Sequence, residues 1–519
     1  MNTGSVVIKK VIAFLSWLNY YFEYSLIFRG FVAVKKAAGG SYILQGFLHT
    51  ERDYWQGSLI FKFIALIVGG VFATVGWFVR LVAQWNKTSI NRRIYLACTA
   101  VKRNKTLYGC VPARLLRWYF GEATCVLKLS YMVFLLGVLV IPSPMWNNMF
   151  LLLSAVFFAG VFILQWLFRT GGAEKPELAH ISPALVLFVF FCAFSIVTGY
   201  GGGDSLRVFI IFFACVVHSV IVSFVFCEKN DIRLFFTMAS VALVIAALFG
   251  FYQFAMGIEI QAAFTDLGAS PGLSRLYSTL GNPNNDAQAW AMLLPFVLAV
   301  AITVKCDTRR IVLLGVILVV VAAFALTYSR AGYVALLAGV GVFVLMTAPR
   351  LVPIGLIVLV LALPFIPAGI LERLFTLGQD TSSQYRFLIW GGVLRMLEDF
   401  WVQGIGMGPA AFIRIYRGYA HPLAERAMHS HNMFLDLITH SGIGALIAFL
   451  AYLFRLFKRG ISSFVSSDDN EHRVYMAAGV AALAVFVVFG VGEYVWFYPR
   501  VMLVFWVIAG LVGGMARAK

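Results

Sequence analysis

Two histidines one residue apart, in His429-Ser430-His431-Asn432, close the longest polar stretch of the chain, 367–434. Imidazole has an unperturbed pKa of about 6.5, which suits proton transfer near neutrality. An alternate-residue pair also has the makings of a metal site, but no Asp/Glu/His set with recognisable ligand spacing surrounds it. A structural, hydrogen-bonded pair is the third reading. Two arginines stand apart from the usual loop positions. Arg330, in Tyr328-Ser329-Arg330-Ala331-Gly332, lies between two apolar stretches with almost no loop. An arginine at mid-membrane costs about 2.5–3.5 kcal/mol and less near the edge. Its side chain either snorkels to the interface or serves an anion, since guanidinium offers five donors that match phosphate oxygens. Arg275 sits among Leu273, Leu276 and Tyr277, shortly before Gly281-Asn282-Pro283-Asn284-Asn285. That order of Gly, Pro and Asn reads as a turn, with Asn285 or Asp286 as the cap of the next helix. Gly404, Gly406 and Gly408 have the look of a phosphate loop but follow a helix, so a tight connector is the better reading. No Gly-x-x-x-x-Gly-Lys loop is present, which argues against ATP hydrolysis.

The elements that must position these residues are membrane spans. Of 519 residues 61% are hydrophobic and 12% charged, against roughly 25% charged in a soluble chain. The expected fold is therefore all-α, a polytopic bundle of about 12–14 spans, since a span needs about 20 apolar residues. Candidates lie near 58–84, 126–142, 148–168, 182–199, 206–227, 233–256, 286–304, 310–328, 331–347, 351–367, 434–456, 474–492 and 498–515, with a weak segment at 11–28. The net charge of +18 resides in short loops, which is the positive-inside pattern and not a nucleic-acid footprint. The basic stretch 85–118 has no acidic residue and is expected in the cytoplasm. Counting crossings from it puts 257–285, 329–331 and 368–433 together on the outer face. Within 368–433 an amphipathic helix is expected, with Phe387, Trp390, Val393, Leu394, Leu397 and Phe400 on its apolar face and Thr381 or Ser382 at its start. The seven cysteines lie far apart, with no Cys-x-x-Cys pair, and suggest neither a disulfide framework nor a zinc site. Residues 1–170 differ in character and form an expected N-terminal membrane extension, followed by the main transmembrane domain at 171–519.

Taken in order, four motifs resemble the O-antigen ligase and polymerase superfamily over roughly 180–515. They are Arg275 with Gly281-Asn282-Pro283-Asn284; Ser329-Arg330-Ala331-Gly332; Arg386 and Trp390 ahead of Gly404-Ile405-Gly406-Met407-Gly408; and His429-Ser430-His431-Asn432. The resemblance implies a metal-independent, inverting glycosyltransferase without a cofactor. Such an enzyme moves a glycan from undecaprenyl diphosphate to an acceptor hydroxyl on the outer face of the cytoplasmic membrane. It implies catalytic roles for His431 and His429, with His431 preferred as the base because the His-Asn step matches the family. Substrate binding would fall to Arg275, Arg330, Arg386, Asn282, Asn284 and Asn432, with Arg275 and Arg330 on the diphosphate. The partners implied are the bilayer, the lipid-linked donor and a glycan, lipid or protein acceptor. Ligase and repeat-unit polymerase share this constellation. A transporter or flippase of lipid-linked glycan is the competing class, but transporters carry polar groups near mid-span, and here the spans are almost free of charge.

Overall fold

The computed structural model describes residues 124–168, 181–258, 275–362, 364 and 381–517, all within the unit Arg117–Lys519. The span expected at 58–84, the segment 11–28, the basic stretch 85–118 and residues 259–274 and 365–380 lie outside the described residues. Fourteen α-helices and no strands are found among the described residues. They are α1 (Thr124–Val140), α2 (Met149–Phe168), α3 (Pro183–Thr198), α4 (Gly203–Val225), α5 (Lys229–Ala255), α6 (Pro283–Thr303) and α7 (Asp307–Ala325). Then follow α8 (Arg330–Thr347), α9 (Val352–Ala362), α10 (Thr381–Phe400), α11 (Pro409–Tyr416), α12 (Met433–Ser466), α13 (Asn470–Gly492) and α14 (Pro499–Met515). Seven of these, α4 to α8, α12 and α13, are long and apolar enough to cross a membrane; α1, α2, α3 and α14 contain shorter apolar helices. The protein is an all-α, multi-pass membrane protein.

Polar cross-links gather the starts of α1, α5 and α13 with the ends of α4, α12 and α14 at one end of the bundle. At that end Lys128 meets Asp231 at 2.5 Å, Lys229 meets Asp469 at 2.6 Å and Ser463 meets His472 at 2.9 Å. Arg233 there grips both oxygens of Glu471, and Arg517 donates to the Ser223 carbonyl. At the other end Thr279 Oγ1 donates to the Leu139 carbonyl at 2.5 Å, and buried Arg500 donates to the Thr279, Val138 and Ile141 carbonyls. That second end gathers the segments beginning at 275, 327, 382 and 429. Helices α6 and α14 are buried on nearly every face. Around them Trp496, Trp506, Phe486 and Phe505 pack ring to ring, with the last pair 3.9 Å apart. Helices α1 and α2 pack in the same unit through His218 of α4, which Tyr131 Oη and Ser154 Oγ hold at 2.7 and 3.2 Å. A division at residue 170 stays a proposal based on sequence character.

Between α9 and α12 the described chain forms a lobe with a small core of its own, built on Ile389, Val393, Met396, Ile405, Phe412 and Tyr416. The amphipathic helix expected here exists as α10, but its buried face is turned from the expected one. Phe387 and Leu394 are 53% and 57% exposed, while Ile389 and Met396 are fully buried. The lobe is joined to the bundle through backbone. At Gly442 (φ 78°) α12 leaves helical geometry, and the carbonyls of Thr439 and His440 accept from Ile405 N at 2.8 Å and Gly406 N at 3.0 Å. Ile443 N in turn donates to the Trp401 carbonyl at 2.8 Å. Only glycine fits at 442, because a Cβ there would lie 1.9 Å from the Val402 oxygen.

Candidate active site

Helix α12 begins at the histidine motif. Asn432 caps it, accepting from Phe434 N and Leu435 N, both at 3.0 Å, while its amide donates to the Val491 carbonyl at 2.9 Å. Asp436, one turn in, is buried and accepts from Ser430 N at 3.1 Å and Ser430 Oγ at 2.7 Å. Trp390 Nε1 donates to the Ser430 carbonyl at 2.8 Å. Ser430 is thus pinned on both sides, and the two histidines flank a fixed point. His431 adopts φ 52°, a left-handed conformation costing roughly 1–2 kcal/mol for a residue with a Cβ. Its N–H donates to His429 Nδ1 at 3.1 Å. Tyr328, two residues before Arg330, is the other non-glycine residue at positive φ among the described residues (51°). Both strained positions therefore border the motifs.

The contact that organises the site involves a residue outside those motifs. His431 Nδ1 lies 3.0 Å from Glu493 Oε2, and Arg386 forms an ion pair with Glu493 Oε1. Burial alone would raise the Glu493 pKa, but the Arg386 charge and the hydrogen bond to His431 outweigh it and hold the carboxyl at about 2. An ionised carboxylate only accepts, so His431 Nδ1 carries the proton, and in the neutral ring Nε2 is left as the acceptor. His429 differs. Burial, with the charge of His431 beside it, lowers its pKa to about 3, and its ring packs on Phe497 at 4.5 Å and on His431 at 4.1 Å. Its Nδ1 is already the acceptor for the His431 backbone.

The arginines expected on an anion border the same centre. Arg330 donates to Ser382 Oγ at 3.3 Å, one turn of α10 before Arg386. Ala331 abuts Gly492, next to Glu493. Arg275 donates through Nε to the Thr327 carbonyl and through Nη2 to Asn284 Oδ1, both at 2.9 Å. Asn282 caps α6, accepting from Asn284 N at 2.8 Å, and its amide reaches the Tyr498 hydroxyl at 3.4 Å. The contacts close on themselves: Arg275 to Thr327, Arg330 to Ser382, Arg386 to Glu493, His431 to His429, Phe497 to Tyr498, Asn282 to Asn284 and back to Arg275. All eight residues singled out in the sequence lie on or against this circuit.

One expectation changes and two others gain detail. The α6 cap is Asn282, not Asn285 or Asp286, because Pro283 supplies the first helical residue with its φ preset and no N–H to satisfy. Asp286 instead braces the loop, accepting from Ser278 N at 2.7 Å and Leu280 N at 3.2 Å. Arg386 has a protein partner in Glu493. The glycine run is a connector: the N–H groups of Ile405 and Gly406 are bonded to α12, so they do not cradle a phosphate. Sequence reasoning missed Glu493, although it carries a signal. It is the sole acidic residue after Glu471, set at the end of an apolar span. Among the described residues no group of three or more His, Cys, Asp or Glu is placed to hold a metal.

Apolar helices with a polar centre at one end define a membrane protein with its candidate chemistry at the bundle's rim. Residues 314–450 match the family model for O-antigen ligase, which supports the superfamily resemblance of the motifs. The matched stretch includes Arg330, Arg386, His429, His431 and Asn432, while Arg275, Asn282, Asn284 and Glu493 lie outside it. Comparison with curated proteins finds no match. The family domain and the membrane helices together support a membrane enzyme that processes glycans.

Proposed function

We propose that this end of the bundle transfers a glycan from undecaprenyl diphosphate to an acceptor hydroxyl on the extracytoplasmic face of the cytoplasmic membrane. The observation that carries the reading is the chain Arg386–Glu493–His431, which leaves one imidazole nitrogen as a base. His431 Nε2 takes the proton of the acceptor O–H as its oxygen attacks the anomeric carbon. The bond from that carbon to the diphosphate oxygen breaks in the same displacement, so the linkage inverts and the electron pair leaves with the diphosphate. Arg275 and Arg330 flank the site and neutralise the charge that develops there. Arg386 acts through Glu493, and the three asparagines shape the loops that present the arginines and histidines to the donor. His429 fixes the His431 backbone.

The test is single-turnover transfer by purified enzyme with a lipid-linked donor. His431→Ala should lower the rate by about 10²–10⁴-fold, the usual contribution of a positioned base, with donor binding retained. Arg330→Lys should weaken donor binding, because charge is kept but the two-pronged geometry is lost. An active His431→Ala enzyme would remove the base from this residue. Activity lost to a chelator and restored by a divalent ion would replace the metal-independent mechanism with a metal centre.

A further inference from the structure

At the end of the bundle opposite His431, helices α3, α4, α12 and α14 line a partly open cavity of about 50 Å³. Arg455 and Arg459, one turn apart on α12, share it with Arg517, and among the described residues no carboxylate lines it. Arg517 is held in place by the Ser223 carbonyl and lies 4.6 Å above the Phe224 ring. Ser182, buried and immediately before α3, also lines the cavity, and its hydroxyl has no hydrogen-bond partner. It occupies the N-cap position of α3, but its side chain bonds none of the helix's first N–H groups. Three guanidinium groups and an unmatched hydroxyl around one cavity call for an anion with several acceptor oxygens.

A second cavity, about 360 Å³, runs between α2, α3 and α4, and the described residues lining it are all apolar, among them Phe162, Val189 and Val217. The two share Ile181, Leu185 and Val220 as walls. Arginines that merely snorkel to an interface need no adjoining greasy channel and no buried serine. We propose that the two cavities form one binding site for an anionic phospholipid. Its phosphate would sit among Arg455, Arg459 and Arg517, and an acyl chain would lie along the groove between α3 and α4. Basic pockets between helices at a membrane face are a recognised way of holding acidic headgroups.

The test uses the full chain, purified and exposed to equal amounts of phosphatidylglycerol and phosphatidylcholine of matched chain length, with bound lipid counted by native mass spectrometry. Phosphatidylglycerol should be retained over phosphatidylcholine by about tenfold, the ratio set by one strong charge-assisted contact. The double variant Arg455→Gln/Arg459→Gln should lose this preference. Val189→Trp, which fills the groove and keeps every arginine, should lower retention of both lipids while eluting as the wild type does. Equal retention of the two lipids by the wild type would overturn the proposal. So would full displacement of phosphatidylglycerol by millimolar inorganic phosphate, since that would mark a site for the free anion. Undiminished binding in Val189→Trp would remove the chain from the groove.

Discussion

At the residue scale, the carboxylate decides how the histidine behaves. Glu493 with its pKa at about 2 stays ionised at any pH at which a membrane enzyme works, so the pH dependence of transfer will not report Glu493. In the mechanism proposed above, it fixes the His431 tautomer and stabilises the imidazolium once the proton arrives. Glu493→Gln keeps the shape and removes the charge; kcat should fall roughly 10²-fold or more, with the donor KM nearly unchanged, as expected when a base loses its orienting carboxylate. A loss confined to KM would place Glu493 on the substrate instead. Acid stability gives a second handle. His429 has a folded pKa near 3 against an ordinary 6.5, so the unfolded chain binds its proton first and stability declines as pH falls from 6.5 toward 3. Glu493 acts in the same direction over a lower window, from about 4.5 down to about 2. Melting temperatures of His429→Gln and wild type should therefore converge between pH 7.5 and 5. A constant gap across that range would show that His429 does not titrate on unfolding.

At the element scale, most of the bundle was legible because long apolar runs have few alternatives in a membrane. The spans expected at 206–227, 233–256, 331–347 and 474–492 fall on α4, α5, α8 and α13. What was not legible involves contacts across the sequence. Val393 and Leu397 suggest a face for α10 to which the spacing also assigns Phe387 and Leu394, yet the burial of Ile389 and Met396 depends on where Phe412 and Tyr416 dock. The order, sidedness and loop lengths of four motifs pointed to the arginines and histidines of the candidate site, whereas Glu493 belongs to no motif and, 62 residues further along the chain, meets His431 only in space. The break in α12 was likewise hidden, since Ser441-Gly442 within an apolar run reads as continuous helix. It is testable: Gly442→Ala must place a Cβ against the Val402 oxygen at positive φ. That should cost more than the roughly 1–2 kcal/mol of the conformation alone, seen as a lowered melting temperature and faster proteolysis within 401–408. Gly513→Ala, with open space around its Cβ, should leave both unchanged.

At the scale of the whole molecule, the two ends of the bundle differ in chemistry. One carries the arginine-lined cavity, Arg310 and the free, exposed Cys306; the other carries the circuit around Glu493. If the basic end faces the cytoplasm, a chain with Cys306 as its single cysteine should resist a membrane-impermeant maleimide in intact cells and react after the membrane is opened. Leu423→Cys, 75% exposed on the lobe, should react in intact cells. The reverse pattern would invert the topology and take the site off the outer face.

The break at Gly442 also bears on how the chain is made. Two carbonyls freed inside a membrane helix, at Thr439 and His440, would each be a liability of several kcal/mol in hydrocarbon if nothing met them. Their partners, Ile405 and Gly406, belong to the lobe, which precedes α12 in the chain and so leaves the ribosome first. Synthesis order thus supplies the donors before the acceptors enter the bilayer. A rearranged gene that encoded α12 ahead of the lobe would present the same contacts in the wrong sequence in time, and its product should stall or be degraded during insertion even though the finished fold is unchanged.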